Sequence, residues 1–448
     1  VNDDRGWIRE GDGFNWFSNC GKEAPVRKIW LRNYRIAALI VVLTPILFLL
    51  ANCTEESENA WTANPAQRIR VRLVESADRI TLAAGANPQV SVESQPGSRM
   101  LAVPKGGTIV GLDGNQWNIG GVEVGTGNMT VSPGSDEGIR INGTAYRGVI
   151  KFVALGDGKF DVINDLPVDD YLKGVVTKEM FSSWHGEALR SQAIVARTYA
   201  LYEAHTGGLS RYWDVYPDQR SQMYGGIDGE TPQGVAAVES TSGIVLTYGG
   251  GSGKIFKAYF SSCCGGVTQS VTDAFPGEPY LPPLAEHVNG TCCSASKYFN
   301  WGPITLPKTE IVRRIHAYAE RRGAAEGRVV PEMQITGIAG LQVAAVNQFG
   351  RPSRVMLTDS RGVQYSMAAE EMRTAINTDP ASGPTLPSSF CKIKTDPTSD
   401  SVTFYDGHGY GHGVGMCQYC AEAQAAAGQS CEQILASAYP KSSLVRAY

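Results

Sequence analysis

The sequence lacks the positive charge that would draw it to nucleic acid. Its 40 Lys and Arg stand against 44 Asp and Glu, a net charge of -4 with a pI near 6.0, so nothing supplies an electrostatic footprint for phosphates. It shows no repeat period, which excludes solenoid and propeller architectures. Only 19% of residues are charged while glycines number 51, a balance that argues against a helical bundle or a disordered chain. Histidine is scarce, and none stands at ligand spacing beside the cysteines. The 448 residues still suffice for two or three domains with real cores.

What is present begins with an apolar run. Arg27, Lys28, Arg32 and Arg35 precede IAALIVVLTPILFLLA, Ile36 to Ala51. The run is slightly short of the ~20 residues of a comfortable span and long for a signal-peptide core of ~7–15. Basic residues on its N-terminal side place residues 1–35 in the cytoplasm and everything after Cys53 outside. Two fates are open: a retained anchor over 36–53, or a lipoprotein cleavage site at Leu50-Ala51-Asn52-Cys53. Asn52 is larger than the residue usual before a lipidated cysteine, which favours the anchor. A core helix is disfavoured because the polar SNCGKEAPVRK before it offers no amphipathic partner.

Ten cysteines suit an exported chain. Without Cys20 and Cys53 an even set remains: Cys263, Cys264, Cys292, Cys293, Cys391, Cys417, Cys420 and Cys431. Disulfides are the first reading, with connectivity open. The paired Cys263-Cys264 and Cys292-Cys293 and the Cys417-x-x-Cys420 spacing also permit a structural zinc, ranked lower. No cofactor is required by the pattern.

Residues 54–66 read as a polar linker. From 67 to 165 short alternating runs (IRVRLVES, QVSVES, TIVGL, GVEVG, MTVSP, GVIKFVAL, FDVIN) predict a mainly antiparallel β region. The texture then turns helical. Pro167 opens VDDYLKGVVTKEM, with Asp169 and Asp170 suited to its first turn. Ser182-Ser183 offers an N-cap for a helix from Trp184 to His205. Its stripe of Ala188, Leu189, Gln192, Ala193, Ala196, Tyr199 and Ala200 predicts a buried, central helix. GIVLTY and KIFKAYFSS read as strands, 307–325 as a surface helix, and LQVAAVNQFGRPSRVMLTD and VQYSM as further strands. Last comes a glycine-rich loop, GHGYGHGVGM, leading into a helix. The fold class is α+β: mainly antiparallel β regions around a central helical segment, preceded by one N-terminal membrane helix.

Glu179 stands at the end of the first helix among Val175, Val176, Met180, Phe181 and Trp184. A carboxyl in such surroundings can hold its proton near neutrality and serve as a general acid. A solvated charge on a helix face is the bland alternative. Arg197 fits a core ion pair as well as a substrate contact, Gln192, Gln222 and Tyr224 can donate hydrogen bonds to a substrate or serve the core, and His412 lies between glycines that allow close approach.

Five segments in this order, YLKGVVTKEMFSSWHGEALRSQAIVARTYAL, SQMYGG, AYFSSCCGG, LPSSFCKI and GHGVGMCQY, make the chain from 67 to 448 resemble the SpoIID/LytB family. The resemblance implies a lytic transglycosylase acting on peptidoglycan glycan strands stripped of stem peptides. It places the catalytic role on Glu179 and gives Arg197, Tyr259 and His412 motif positions around the site. Such an enzyme needs one carboxyl group only, because the sugar's own C6 hydroxyl attacks and leaves a 1,6-anhydro end. The family's other branch implies a different class, a non-catalytic amidase enhancer that binds cell-wall glycan. The expected partners are therefore glycan strands, a cell-wall amidase on the second reading, and the membrane, with the main domain extracytoplasmic (periplasmic or cell-surface). The family's usual SQYGA is replaced here by Cys417-Gln418-Tyr419-Cys420-Ala421, and SSCCGG carries an added cysteine, so covalently reinforced loops are expected.

Overall fold

Alternation of apolar and polar residues dictates the first part of the chain. The computed structural model describes residues 67–448, apart from 105, 208–210, 251–252, 380–382 and 397. From Arg68 to Pro167 twelve strands form two six-stranded antiparallel sheets. In the strand Arg68–Ala77, Ile69 and Val71 are fully buried. The arginines between them turn outward, each to a carboxylate: Arg68 to Asp165, Arg70 to Asp214 and Arg72 to Asp161, all at 2.6 Å. The two sheets meet over aromatic rings, with Trp117 of one packed edge-on against Phe160 (5.1 Å) and Phe152 (5.8 Å) of the other. Its indole N–H donates to the Gly127 carbonyl at 2.6 Å, so the largest core side chain leaves no polar atom wanting.

The last strand of this part, Lys159–Pro167, runs directly into helix α1, Val168–Lys173. Pro167 ends the strand and stands as the N-cap, with φ -57° and ψ 142°, and Asp169 and Asp170 in the first turn complement the dipole. The single helix expected over VDDYLKGVVTKEM is broken at Gly174, and a second short helix, α2, covers Val176–Glu179. The break has a local cause. The Gly174 carbonyl accepts a hydrogen bond from Gly225 N–H at 2.9 Å, and a Cβ at Gly174 would lie 2.6 Å from the Gly226 carbonyl oxygen.

Helix α3 spans Gly186–Gly207, starting later than expected because Ser182 and Ser183 lie in a turn closed by Trp184 N–H on the Phe181 carbonyl at 3.0 Å. Glu422 takes the His185 backbone N–H instead, at 2.9 Å. The expected stripe is buried, and so is the opposite side, including Ser191, Val195, Arg197 and Thr198. Around α3 pack α1, the helix Pro232–Ser240, the strand Ile244–Tyr248 and the C-terminal helices Gln418–Ala426 and Cys431–Ala438. A helix enclosed on all sides is the centre of its core.

A further core gathers Leu306, Ile311, Ile315, Leu357, Ile376 and Phe404 between two three-stranded sheets and the helices Lys308–Glu326 and Ala369–Ile376. The strands and surface helix read from this stretch are all present. The change of texture near 165 marks no gap: besides the through-running strand, Asp214 and Glu230 reach back to Arg70 and Arg147. No described helix is long and apolar enough to cross a membrane. The tail 1–35, the anchor expected over 36–53 and the linker 54–66 lie outside the described residues.

Candidate active site

Glu179 is the last residue of α2, and the backbone turns extended at Met180, which swings the chain away from the carboxylate. The side chain is half-buried, and its Oε1 accepts the backbone N–H of Met223 at 2.7 Å. Gln418 is a second partner. Burial raises the Glu179 pKa above the ordinary carboxylate value; the hydrogen bonds from Met223 and Gln418 favour the charged form and offset only part of the rise. None of these influences is a second acid.

The Met223 donor is held from both sides. Gln222 is fully buried, accepting from Tyr171 Oη at 3.2 Å and donating to the Ala196 carbonyl at 3.4 Å. Tyr224 is buried too, its hydroxyl donating to Asn164 Oδ1 at 2.9 Å. Beyond it Gly226 sits at φ 59°, where a Cβ would strike the Ala145 carbonyl oxygen at 2.2 Å, so only glycine closes this turn. Gln222 and Tyr224, expected to bind substrate, thus act here as anchors of the loop that presents Met223.

Arg197 is also fully buried. It donates to Asp169 Oδ1 (2.8 Å), Thr241 Oγ1 (3.5 Å) and the carbonyls of Ile244 (3.1 Å) and Val238 (3.3 Å). Burial opposes ionisation of Asp169, but Arg197 with Ser242 and Tyr448 outweighs it and holds the pKa below the usual carboxylate value. The guanidinium serves the core, and Asp169 is spent as its partner. Asp170 pairs with Lys173 at 3.1 Å.

Gln192 does join Glu179, through Gln418: Gln418 Nε2 donates to Gln192 Oε1 at 3.4 Å. Gln192 Nε2 is buried with no partner among the described residues. Tyr259 and His412 form a separate group. Tyr259 stacks on Phe275 at 4.7 Å and donates its hydroxyl to Glu278 at 3.0 Å. His412 packs edge-on against both rings, and burial pulls its pKa down to about 4, so it is neutral at physiological pH. A Tyr199–Tyr259 ring contact of 6.3 Å links this group to α3.

The sequence names Phe181 and Trp184 as neighbours of Glu179 but gives no role to Gln418 or Tyr419. Phe181, 60% exposed, meets Trp184 at 5.4 Å, and Trp184 meets Tyr419 at 4.9 Å. Met223, whose N–H meets Glu179, is 39% exposed. The signal for Gln418 and Tyr419 was the GMCQY motif itself; nothing local marked them. Among the eight described cysteines there is no disulfide. Four thiols, those of Cys264, Cys293, Cys417 and Cys420, converge instead on one place: both cysteines of the Cys417-x-x-Cys420 spacing are in it, but Cys263 and Cys292 of the two adjacent pairs are not.

Fold and site together define an α+β protein that presents one half-buried acid beside an exposed aromatic ledge. Residues 156–248 match the family model described as stage II sporulation protein, SpoIID. An uncharacterised protein of Brachyspira hyodysenteriae is 27% identical over 302 residues, 67% of this chain and 72% of that one. The amidase enhancer of Bacillus subtilis is 28% identical over 304 residues, 61% of this chain but 40% of its own length. Stage II sporulation protein D of Bacillus subtilis is 24% identical over 288 residues, 61% and 73% of the two chains. These matches make the chain similar to the SpoIID/LytB family, through the segment 156–248 and along these relatives. The matched segment contains Glu179, Gln192, Arg197, Gln222 and Tyr224, whereas Tyr259, His412 and Gln418 lie beyond it.

Proposed function

We propose that this protein cleaves peptidoglycan glycan strands as a lytic transglycosylase, with Glu179 as its single general acid and base. The observation that carries the reading is the state of that carboxyl: half-buried, raised in pKa by burial, and without a second acid among the influences on it. A protonated Glu179 gives its proton to the glycosidic oxygen as the bond to the anomeric carbon breaks. The carboxylate so formed then takes the proton of the sugar's C6 hydroxyl as that oxygen bonds to the anomeric carbon. No water is consumed, and an anhydro end results. Met223 N–H and Gln418 stabilise the carboxylate between the two transfers, and the exposed Phe181 with the half-buried Trp184 against it offers apolar surface to a sugar ring. The proposed site of action is outside the cytoplasmic membrane, with residues 36–53 as anchor and strands stripped of peptides as substrate.

The amidase-enhancer reading draws on the relative of that name. On it, the same ledge binds glycan and Glu179 is dispensable. The two separate in one experiment: purified protein is given glycan strands with and without stem peptides, and the products are read by mass spectrometry. Anhydro-ended fragments from the wild type, cut at least about 100-fold by Glu179→Gln, are expected. No cleavage by a folded wild type, with an amidase stimulated equally by both proteins, would transfer the assignment to the enhancer.

A further inference from the structure

The strongest cluster outside the Glu179 site is made of sulfur, and three distant segments build it. Strand Phe260–Ser261 runs parallel to Met416–Cys417, bringing Cys264 beside Cys417. A separate antiparallel bridge ties this segment to the glycine-rich loop, where Cys263 and Tyr410 exchange backbone hydrogen bonds of 3.1 and 2.8 Å. The third segment is the turn carrying Cys293, whose carbonyl accepts Ser296 N–H at 3.1 Å. The sulfurs of Cys264, Cys293, Cys417 and Cys420 all lie within 4.8 Å of one another, and no one of the four residues is more than 4% exposed.

Distances separate the two chemistries open to such a group. A disulfide brings its sulfurs to ~2.05 Å. Four thiolates on a tetrahedral zinc, each at ~2.3 Å, stand roughly 3.8 Å apart. Cys264 and Cys293 are separated by 3.6 Å. The surroundings are also arranged for negative sulfur. Cys264 N–H points to Cys417 Sγ at 3.3 Å, and Asn289 Nδ2 to Cys264 Sγ at 3.4 Å. Cys417 and Cys420 stand at the N-terminal turn of the helix Gln418–Ala426, where the dipole favours a thiolate. The fully buried Arg351 donates to the Cys264 carbonyl at 3.1 Å and brings a positive charge to the same core. Soft sulfur donors in a closed set of four suit zinc in a structural role.

We propose that Cys264, Cys293, Cys417 and Cys420 form a structural zinc site that fastens the loops behind Glu179. Four S–Zn bonds replace four S–H bonds, the protons leave to solvent, and no electron is transferred. Cys263 and Cys292 stay outside, their sulfurs turned to the carbonyls of Cys293 (3.9 Å) and Cys420 (3.6 Å). Two ligands flank Gln418 in sequence, so the metal fixes the residue that reaches Glu179. The inference rests on sulfur geometry and not on the proposed reaction.

The test is elemental analysis of the full chain, purified without chelator, beside intact-mass analysis of its thiols. About one zinc per chain is expected in the wild type and in the Cys263→Ser/Cys292→Ser double variant. The Cys417→Ser/Cys420→Ser double variant should hold less than about a tenth of that. Because this variant can lose its fold with its metal, wild-type protein is also melted with and without a strong chelator; its Tm should fall and return on adding zinc. Zinc-free wild type carrying two disulfides, or equal loss of zinc from the Cys263→Ser/Cys292→Ser variant, would overturn the assignment. Glu179→Gln should bind zinc as the wild type does, which keeps this result separate from that of the cleavage assay.

Discussion

Two regions of this molecule fill their interiors with different material. Between Arg68 and Pro167 the large buried side chains are mainly apolar, Trp117, Phe152, Phe160 and Met129 among them, and most charges are paired towards the surface. Around α3 and the glycine-rich loop the interior holds Gln192, Arg197, Gln222, Gln269 and Arg351. Their partners stand far along the chain, as with Arg197 on Ile244 and Arg351 on His412. An apolar interior tolerates rearrangement as long as volume is kept, whereas a buried polar group is stabilising only with its partners in place. The candidate site lies in the second region, where a few hydrogen bonds hold one carboxyl in position.

The comparison can be broken most forcefully from the apolar side. Trp117→Ala should cost about 3–5 kcal/mol of stability in denaturant unfolding, through lost transfer energy and a cavity. The folded fraction should keep the rate of the proposed glycan cleavage. A loss of rate per folded molecule would show that the sandwich does more than support.

Arg197→Leu tests the polar side, with an expected cost of about 3–5 kcal/mol at pH 7 because Asp169 is left buried without its cation. The pH dependence follows from the direction of the Asp169 shift. Its folded pKa is depressed, so its contribution is full above the ordinary value of 3.8 and is lost as pH falls through the lower folded value. The difference between wild type and variant should therefore be largest at neutral pH and shrink in acid. A difference that stays constant down to pH ~3 would remove the ion pair from the account.

The finest test is Gln418→Leu, expected to cost about 1–2 kcal/mol of stability by leaving Gln192 Oε1 without its donor. Its main effect is on Glu179. On the proposed mechanism the acid works protonated, so kcat/KM should decline as pH rises through its pKa. Gln418 lowers that pKa, and removing it should move the declining limb to higher pH. A pH–rate profile checks the direction; an unmoved or downward-shifted limb would deny Gln418 its contact with the carboxyl.

Much of the fold was legible because it depends on local pattern. Alternation marked the strands of the sandwich, and the stripe on α3 marked a central helix. Glu179 could be picked out because its neighbours are apolar in sequence as well as in space. Other assignments depended on who meets whom. Gln222 and Tyr224 look like sugar-binding groups until their buried partners Tyr171 and Asn164 are seen. The start of α3 moved because Glu422, more than two hundred residues away, takes a hydrogen bond that no local pattern announces. Which cysteines meet stayed open in sequence because adjacent side chains diverge: Cys264 and Cys293 turn into the tetrad while Cys263 and Cys292 do not.

The sequence by itself determined the periodicities, the start of a helical segment after Pro167, the family motifs and the carboxyl that stands among apolar neighbours, since all of these act over a few residues. The tertiary structure alone decided that Met223 and Gln418 hold Glu179, that Arg197 belongs to the core, and that four of the eight described cysteines meet. The physical reason is range. Backbone propensity and burial pattern are set by near neighbours, whereas a pKa, a buried hydrogen bond or a cluster of thiols depends on atoms that only folding brings within a few ångströms.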